Sequence, residues 1–529
     1  MTNNYDIIAI GSGHNGLVAA AYMATAGKKV LVLERQPWFG GGVVTRELTK
    51  PGFKHDQHSM AHIFIQANPL IKNDELGLLS KYGLKYIYPK NPMIGVFSDG
   101  ETLALTDDRQ KTWEQIAKFS RKDADAYLRF SELGAAYLPS LTATLYSPPA
   151  PLGASYAMMD QSREGRQLFN IMQRSAYDVV MEWFEHERVR LFFLRMISEN
   201  LHGPEEKGTG VGVFMFLSFL EKYGIGAAKG GSGMLTKVLI DCIEDHGGTV
   251  QASTPVRKVL VKGGRAAGVV SEAGEEFYAK EAVIGAIHPH LLGRFIEGLP
   301  AEVVRDAERT EISIVGCFTI HAALNEALKF KAGDHVSESV MIELMPDRVD
   351  ILRQHFDDLR YGRLPQHSLI GLGSASRFDP SRVPPGKAIM HAWDYVPYVH
   401  PDGSPEAWDR RKREFAEAML EKMRVYISNL GPDNIIAYHC DSPLDMERTS
   451  ASFRRGDLHG VAAYLYQFGS HRPTPDLGQN KVPGIEGMYL VGPFQHPGGG
   501  VFGAGRATAM KMCEDLGIDF DKLAKKGGR

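Results

Sequence analysis

The sequence predicts an α/β fold around a nucleotide-binding unit that the chain leaves twice and re-enters twice. Three stretches carry that expectation. Residues 5–10 form a β-like run, followed by the glycine pattern Gly11-Ser-Gly-His-Asn-Gly16, an Ala-rich helix over 15–26 and a second β-like run over 29–33. Residues 227–290 open on Lys229-Gly-Gly-Ser-Gly-Met234 and continue as a helix over 235–245. Strands are then expected at 249–252, 256–262, 267–271 and 281–286, with hairpin turns at Gly263-Gly264 and Ala273-Gly274. Residues 485–516 hold a strand at 488–491, a glycine-dense loop and a helix from about Ala507.

The intervening stretches differ in texture. Residues 75–225 read as helix-rich with many Phe, Met and Tyr, whereas 300–480 mix strands (312–321 and 388–396) with a charged helix over 405–430. No solenoid repeat or low-complexity tract interrupts the pattern. The expected organisation is one domain over 1–75, 226–300 and 481–529, carrying a second over 76–225 and 301–480.

Composition agrees with a folded, soluble protein. Of 529 residues, 43% are hydrophobic, enough for a large core and a poor fit to disorder or coiled coil. Sixty Lys and Arg against 63 Asp and Glu leave a net charge of −3, which gives nucleic acid no reason to bind. Cys242, Cys317, Cys440 and Cys513 are scattered without a CxxC pair, which argues against a disulfide framework and a thiolate zinc site. No basic leader precedes residue 5, and the longest apolar stretch, 211–220, is about half a bilayer span. A cytoplasmic protein is expected, with peripheral membrane contact and a homo-oligomer left open.

The glycine pattern has a physical reading. Gly11, Gly13 and Gly16 suit a tight turn, close approach of the backbone to a pyrophosphate, and tight helix–strand packing. His14 and Asn15 open the helix, whose N-terminal N–H groups and dipole favour phosphate. Glu34, 18 residues after Gly16 and followed by Arg35, is placed to accept ribose hydroxyls.

The next residues separate the dinucleotides. Glu34-Arg-Gln-Pro-Trp-Phe-Gly-Gly-Gly-Val-Val-Thr45 resembles the continuation in FAD-dependent amine oxidases and phytoene desaturases, and Met488-Tyr-Leu-Val-Gly-Pro-Phe-Gln-His-Pro-Gly-Gly-Gly-Val-Phe-Gly-Ala-Gly-Arg506 resembles the C-terminal flavin motif of the phytoene desaturase family. Lys50-Pro-Gly-Phe53 and Arg472-Pro473 are similar to residues of its phytoene-dehydrogenase-like members. The resemblance covers all three segments, together about 160 residues. It implies a discontinuous α/β Rossmann-type FAD-binding domain with an inserted mixed α+β substrate domain. It also implies cofactor contacts from Gly41, Gly42 and Val43, from Val256 through its backbone, and from Gly492, Pro497, Gly499, Gly500 and Val501. Consecutive glycines let backbone lie beside a planar ring, and a helix beginning near 505–508 would stabilise the anionic reduced flavin.

The implied activity is an FAD-dependent dehydrogenase, or desaturase, acting on an apolar or cyclic substrate, with oxygen or a quinone as electron acceptor. Three rivals remain: an amine oxidase forming C=N, a non-redox isomerase using reduced FAD, and a non-enzymatic FAD-stabilised interaction protein. Gln495-His496 stands where amine oxidases sometimes carry Trp or Tyr, which weighs against the first. Candidates for a catalytic base are His58, His62, Tyr464 and His496. His55, His58 and His62 mimic a metal cluster by spacing, but with only Asp56 nearby no metal is expected. Gly371-Leu-Gly-Ser-Ala-Ser376 lacks the third glycine and the helix of a second nucleotide loop. The glycines at 230–231 read either as a turn at the mouth of the substrate site or as a structural turn. Phe214-Met-Phe-Leu-Ser-Phe-Leu220 reads as core, as substrate-tunnel lining or as a membrane-facing patch.

Overall fold

A computed structural model describes residues 4–525. The chain runs through β1 (Asn4–Ile10), α1 (His14–Thr25) and β2 (Val30–Leu33), then β3 (Asn91–Val96) and β4 (Thr102–Leu105). A helical block follows, in which α2 (Arg121–Leu145), α3 (Glu187–Ser198) and α4 (Gly210–Tyr223) are prominent. Next come α5 (Gly233–Asp245), β5 (Thr249–Gln251), β6 (Val256–Lys262), β7 (Arg265–Ser271) and β8 (Glu276–Gly285). The chain continues with β9 (Gly316–Leu324), β10 (Ser339–Leu344), α6 (Val349–Arg360), β11 (Gly371–Gly373), β12 (Ala388–Val396), α7 (Trp408–Met423) and β13 (Ile435–Asp441). It closes with β14 (Met488–Leu490) and α8 (Gly505–Leu516).

Two seven-stranded sheets organise these elements. In the first, β14, β8, β1, β2 and β5 lie side by side and parallel, and the ribbon β6–β7 adds antiparallel to the start of β8. Parallel strands covered on both faces read as unbroken apolar runs, and Ile7–Ile10 and Val30–Leu33 are both runs of that kind. Ile7, Ala9, Val30 and Val32 face α1, α5 and α8, whereas Ile8, Ile10, Leu31 and Leu33 face a core shared with β6, β7 and Leu477–Val482. Helix α1 is buried along nearly its whole length. A Cβ on Gly505 would stand 1.9 Å from Asn15 O, so α8 crosses α1 backbone to backbone.

The second sheet has the order β13-β9-β12-β11-β10-β3-β4, antiparallel except between β10 and β3. Phe318, Ile320 and Met390 on one face pack against α7 residues Trp408, Met419 and Leu420. Cys317, Met341 and Tyr395 on the opposite face look toward the helical block.

Several elements differ from the sequence reading. The stretch read as helix-rich contributes β3 and β4 to the second sheet. Asn91-Pro-Met-Ile-Gly-Val carries a Pro and a Gly, which mute its strand signal. The strand expected at 312–321 starts only at Gly316, because Ser313 Oγ donates to Leu201 O and Ser313 N donates to the Asp457 carboxylate. The strand expected at 281–286 starts at Glu276, extended by its pairing with β7. The charged helix is shorter than 405–430: a 3-10 turn, Pro405–Ala407, precedes α7, which ends at Met423.

Candidate active site

The site begins at the turn between β1 and α1. Gly11 has φ +89° and donates its N–H to Leu33 O at 2.8 Å. A Cβ on Gly16 would lie 2.9 Å from Gly11 O, so both positions need glycine. Gly13 differs: a Cβ there would meet nothing within 4 Å, because it borders open space. The first intrahelical bond of α1 runs from Leu17 N to Gly13 O, and the N–H groups before it emerge at the helix N-terminus.

Glu34 is held at the end of β2. Its Oε2 accepts from Ser12 N (2.9 Å) and Ser12 Oγ (2.7 Å), and its Oε1 from Gln36 N (2.9 Å). A carboxylate offers about four acceptor sites, so capacity remains for hydroxyls. The second glycine turn touches the first: Gly40 N donates to Ser12 Oγ at 3.2 Å, and a Cβ on Gly41 would stand 3.1 Å from Gly13 Cα.

A cavity of about 470 Å³ runs from these turns to the second sheet. Its wall gathers Gly11, Gly13, His14, Asn15, Gly16, Glu34, Arg35, Gly41, Gly42, Val43 and Val256 with Gly492, Gly500 and Val501. Segments from opposite ends of the chain therefore share one surface. Pro497 and Gly499 are not on it. A Cβ on Gly499 would lie 2.2 Å from His459 Cβ, so its glycine serves packing beneath the loop, and packing rather than cavity contact accounts for part of this glycine run. The cavity lining ends at Val501, four residues before α8, and Ala504 N donates to Asn15 Oδ1 (2.8 Å).

Of the four candidate bases, His58 alone lines the cavity. It packs edge-on against Phe453, neither ring nitrogen has a hydrogen-bond partner, and burial holds its pKa down at about 4, so it is neutral at pH 7. His62 Nδ1 pairs with Tyr86 OH, and His496 Nε2 pairs with Thr144 O. Tyr464 packs against Tyr466 outside the cavity lining. Among the described residues no group of three or more His, Cys, Asp or Glu side chains is arranged to hold a metal ion.

Met60, Ile63, Phe64 and Phe216 line the same cavity as the second-sheet residues Cys317, Thr319, His391, Trp393 and Tyr395. Phe64 stacks on Phe502 at 4.3 Å. The Phe214–Leu220 run splits between two of its readings: Phe214 and Phe219 are core, and Phe216 reaches the cavity. The Gly371–Ser376 pattern is no loop. Gly371 and Gly373 are strand residues, each pressed by a side chain, Trp393 and Met60. The glycines at 230–231 do not line the cavity; a Cβ on Gly231 would fall 2.3 Å from Thr45 Oγ1, the signature of a structural turn.

Residues 16–511 match the family model described as flavin containing amine oxidoreductase. The chain belongs to that family. It is an FAD-dependent oxidoreductase, and the resemblance to phytoene desaturases read from its motifs holds along the whole chain. Among curated relatives it is 26% identical to a limonene dehydrogenase subunit of Castellaniella defragrans, over 97% of this chain and 95% of the relative. It is 29% identical to the rat pyridine nucleotide-disulfide oxidoreductase domain-containing protein 2 (97% and 94%), and 23% to a lycopene-forming phytoene desaturase of Pseudescherichia vulneris (96% and 99%). A solved oxidoreductase from Methanosarcina mazei shares the fold with a TM-score of 0.63 at 16% identity, covering 96% of this chain and 99% of that one.

The flavin-containing oxidoreductase has residues that fit FAD. The open side of Gly13, the spare capacity of Glu34 and the cavity-lining N-terminus of α1 suit the adenosine diphosphate portion. Gly42, Gly500 and Val501 line the same cavity. The sequence reading missed Thr319, His391, Trp393 and Tyr395 on the second-sheet wall, and Glu199 beside them. The signal was available in the alternation of Cys317-Phe-Thr-Ile-His321 and His391-Ala-Trp-Asp-Tyr395, which sets these side chains on one face.

Proposed function

We propose that this enzyme is a dehydrogenase that forms a C=C bond in a largely apolar or cyclic substrate, with oxygen or a quinone as the electron acceptor. The observation that carries the reading is one cavity lined both by the glycine turns and Glu34 and by Met60, Ile63, Phe64 and Phe216. The relatives named for limonene and phytoene support a substrate of this kind. Bound FAD supplies the hydride acceptor, while the neighbouring carbon gives up a proton and the reduced cofactor is later reoxidised. We assign the Rossmann-type FAD-binding unit to the first sheet with α1, α5 and α8, fed by segments 1–75, 226–300 and 481–529. The substrate domain is then 76–225 with 301–480.

His58 takes the proton in this reading. It is neutral, both its nitrogens lack partners, and it stands on the cavity wall beside Gly42. The apolar lining excludes water, which strengthens each polar contact made inside. Anaerobic titration of the yellow holoenzyme with carotenoids, limonene, cyclic ketones and amines tests the reading, the expected result being bleached flavin with an alkene product. His58→Phe should then slow bleaching by about 10²–10⁴-fold at unchanged flavin content. Bleaching only by amines, with hydrogen peroxide produced, would refute the C=C reading.

A further inference from the structure

The second sheet brings polar side chains to the cavity wall. Thr319 on β9 pairs across the ladder with Trp393 on β12, and His321 with His391. Thr319 and His391 both line the cavity. Thr319 Oγ1 and both ring nitrogens of His391 are buried without any hydrogen-bond partner in the protein. The His391 ring stacks on His321 at 4.3 Å, and both nitrogens of His321 are likewise unpartnered, so the stack fixes the ring without satisfying it.

Glu199 on the same wall is different. Its Oε1 accepts from Tyr395 OH (2.8 Å) and Trp393 Nε1 (3.2 Å) and pairs with Arg195. Arg195 also meets Glu343 at 2.6 Å, and burial pushes the Glu343 carboxyl well above the carboxylate range. Arg195 thus balances Glu199, and the wall is polar without being anionic.

A hydrocarbon against this wall would leave Thr319 and His391 dry and unpaired, the costly state for buried polar groups. A neutral imidazole and a hydroxyl each donate or accept, so together they suit either a hydroxyl or a carbonyl. They lie on strands of the second sheet, not on the glycine turns that suit the dinucleotide.

We propose that the substrate is an oxygenated apolar molecule, whose hydroxyl or carbonyl oxygen bonds His391 and Thr319, rather than a bare hydrocarbon. This deepens the dehydrogenase reading and rests on it. Both residues act on specificity, by orienting the skeleton against the reacting face.

The test is calorimetric binding to dithionite-reduced holoenzyme, in which no turnover competes. The probes share one ten-carbon skeleton: limonene, carvone as its ketone and carvylamine as its amine. Carvone should bind at least about tenfold more tightly than limonene, about 1.4 kcal/mol. That ratio should fall to within about threefold in His391→Phe or in Thr319→Val, with flavin content and thermal midpoint checked for each. Limonene binding as tightly as carvone, an unchanged ratio in both variants, or carvylamine binding most tightly would each overturn the inference while leaving C–H dehydrogenation standing. If no probe binds and the wider panel bleaches no flavin, the dehydrogenase reading falls, and the inference with it.

Discussion

Gly16 shows how a single residue sets the approach of a helix to a turn. Its missing Cβ is what lets α1 start against Gly11 O, 2.9 Å from where that atom would be. Gly16→Ala should therefore push the helix N-terminus off the turn, and the purified variant should show a clearly lower ratio of flavin to protein absorbance. Glu34 acts differently, by organising Ser12 through two hydrogen bonds to one oxygen. Glu34→Gln removes the charge from that set, and a weaker hold on FAD, by about tenfold, should appear in equilibrium dialysis of the cofactor with the apoprotein. His58, His391 and Thr319 share a further property: each carries buried polar atoms without a partner, which a compact protein keeps where a ligand or water completes them.

Helices act on the site through close approach. Helix α8 meets α1 at Gly505, where a Cβ would overlap Asn15 O at 1.9 Å, and Asn15 Oδ1 caps Ala504 N in the same contact. Gly505→Ala is overpacking against backbone, which cannot rotate aside. Urea unfolding should show a loss of about 1–3 kcal/mol, and flavin content should fall with it if the turn before α1 holds the phosphates as proposed. In the second sheet the strand period places Cys317, Thr319 and His321 on one face and Phe318 and Ile320 on the other. One strand therefore supplies both a cavity wall and the core beneath α7.

Across the whole molecule, a buried charge set ties the two ends of the chain together. Arg506 on α8 donates Nε and Nη2 to the two oxygens of Glu75 at 2.8 Å each, and Tyr22 OH joins them from α1. Glu75→Gln leaves a buried guanidinium without its counter-charge and should cost about 3–5 kcal/mol in urea unfolding. The buried histidines set the pH response. Burial holds His14 and His391 at about 3 and His58 and His62 at about 4, all below the ordinary 6.5. In an unfolded chain they would take protons near 6.5, so the unfolded state binds more protons between about pH 6.5 and 3. Stability is fully present above that window and is lost as the pH falls through it. Thermal midpoints measured from pH 8 to 4 should stay level to about 6.5 and then drop.

The glycine turn, the acidic residue closing β2, the C-terminal glycine run and the family itself were legible in the sequence, because each depends on local backbone geometry or on fixed spacing. The strands read at 256–262 and 388–396 likewise keep their bounds in β6 and β12. β3 and β4 were hidden, since Pro92 and Gly95 are tolerated only by the sheet they join. Which glycine lines the cavity and which merely packs is a matter of neighbours: Gly500 borders the cavity, whereas Gly499 presses on His459. The same holds for His58, His62 and His496, equal as letters but separated by what surrounds each ring. Sequence alone determined the glycine turn between β1 and α1, because a turn of that kind is built from consecutive residues. Only the tertiary structure decided the substrate wall, because His391, Thr319 and Glu199 become neighbours solely through the pairing of strands and the packing of a helix far apart along the chain.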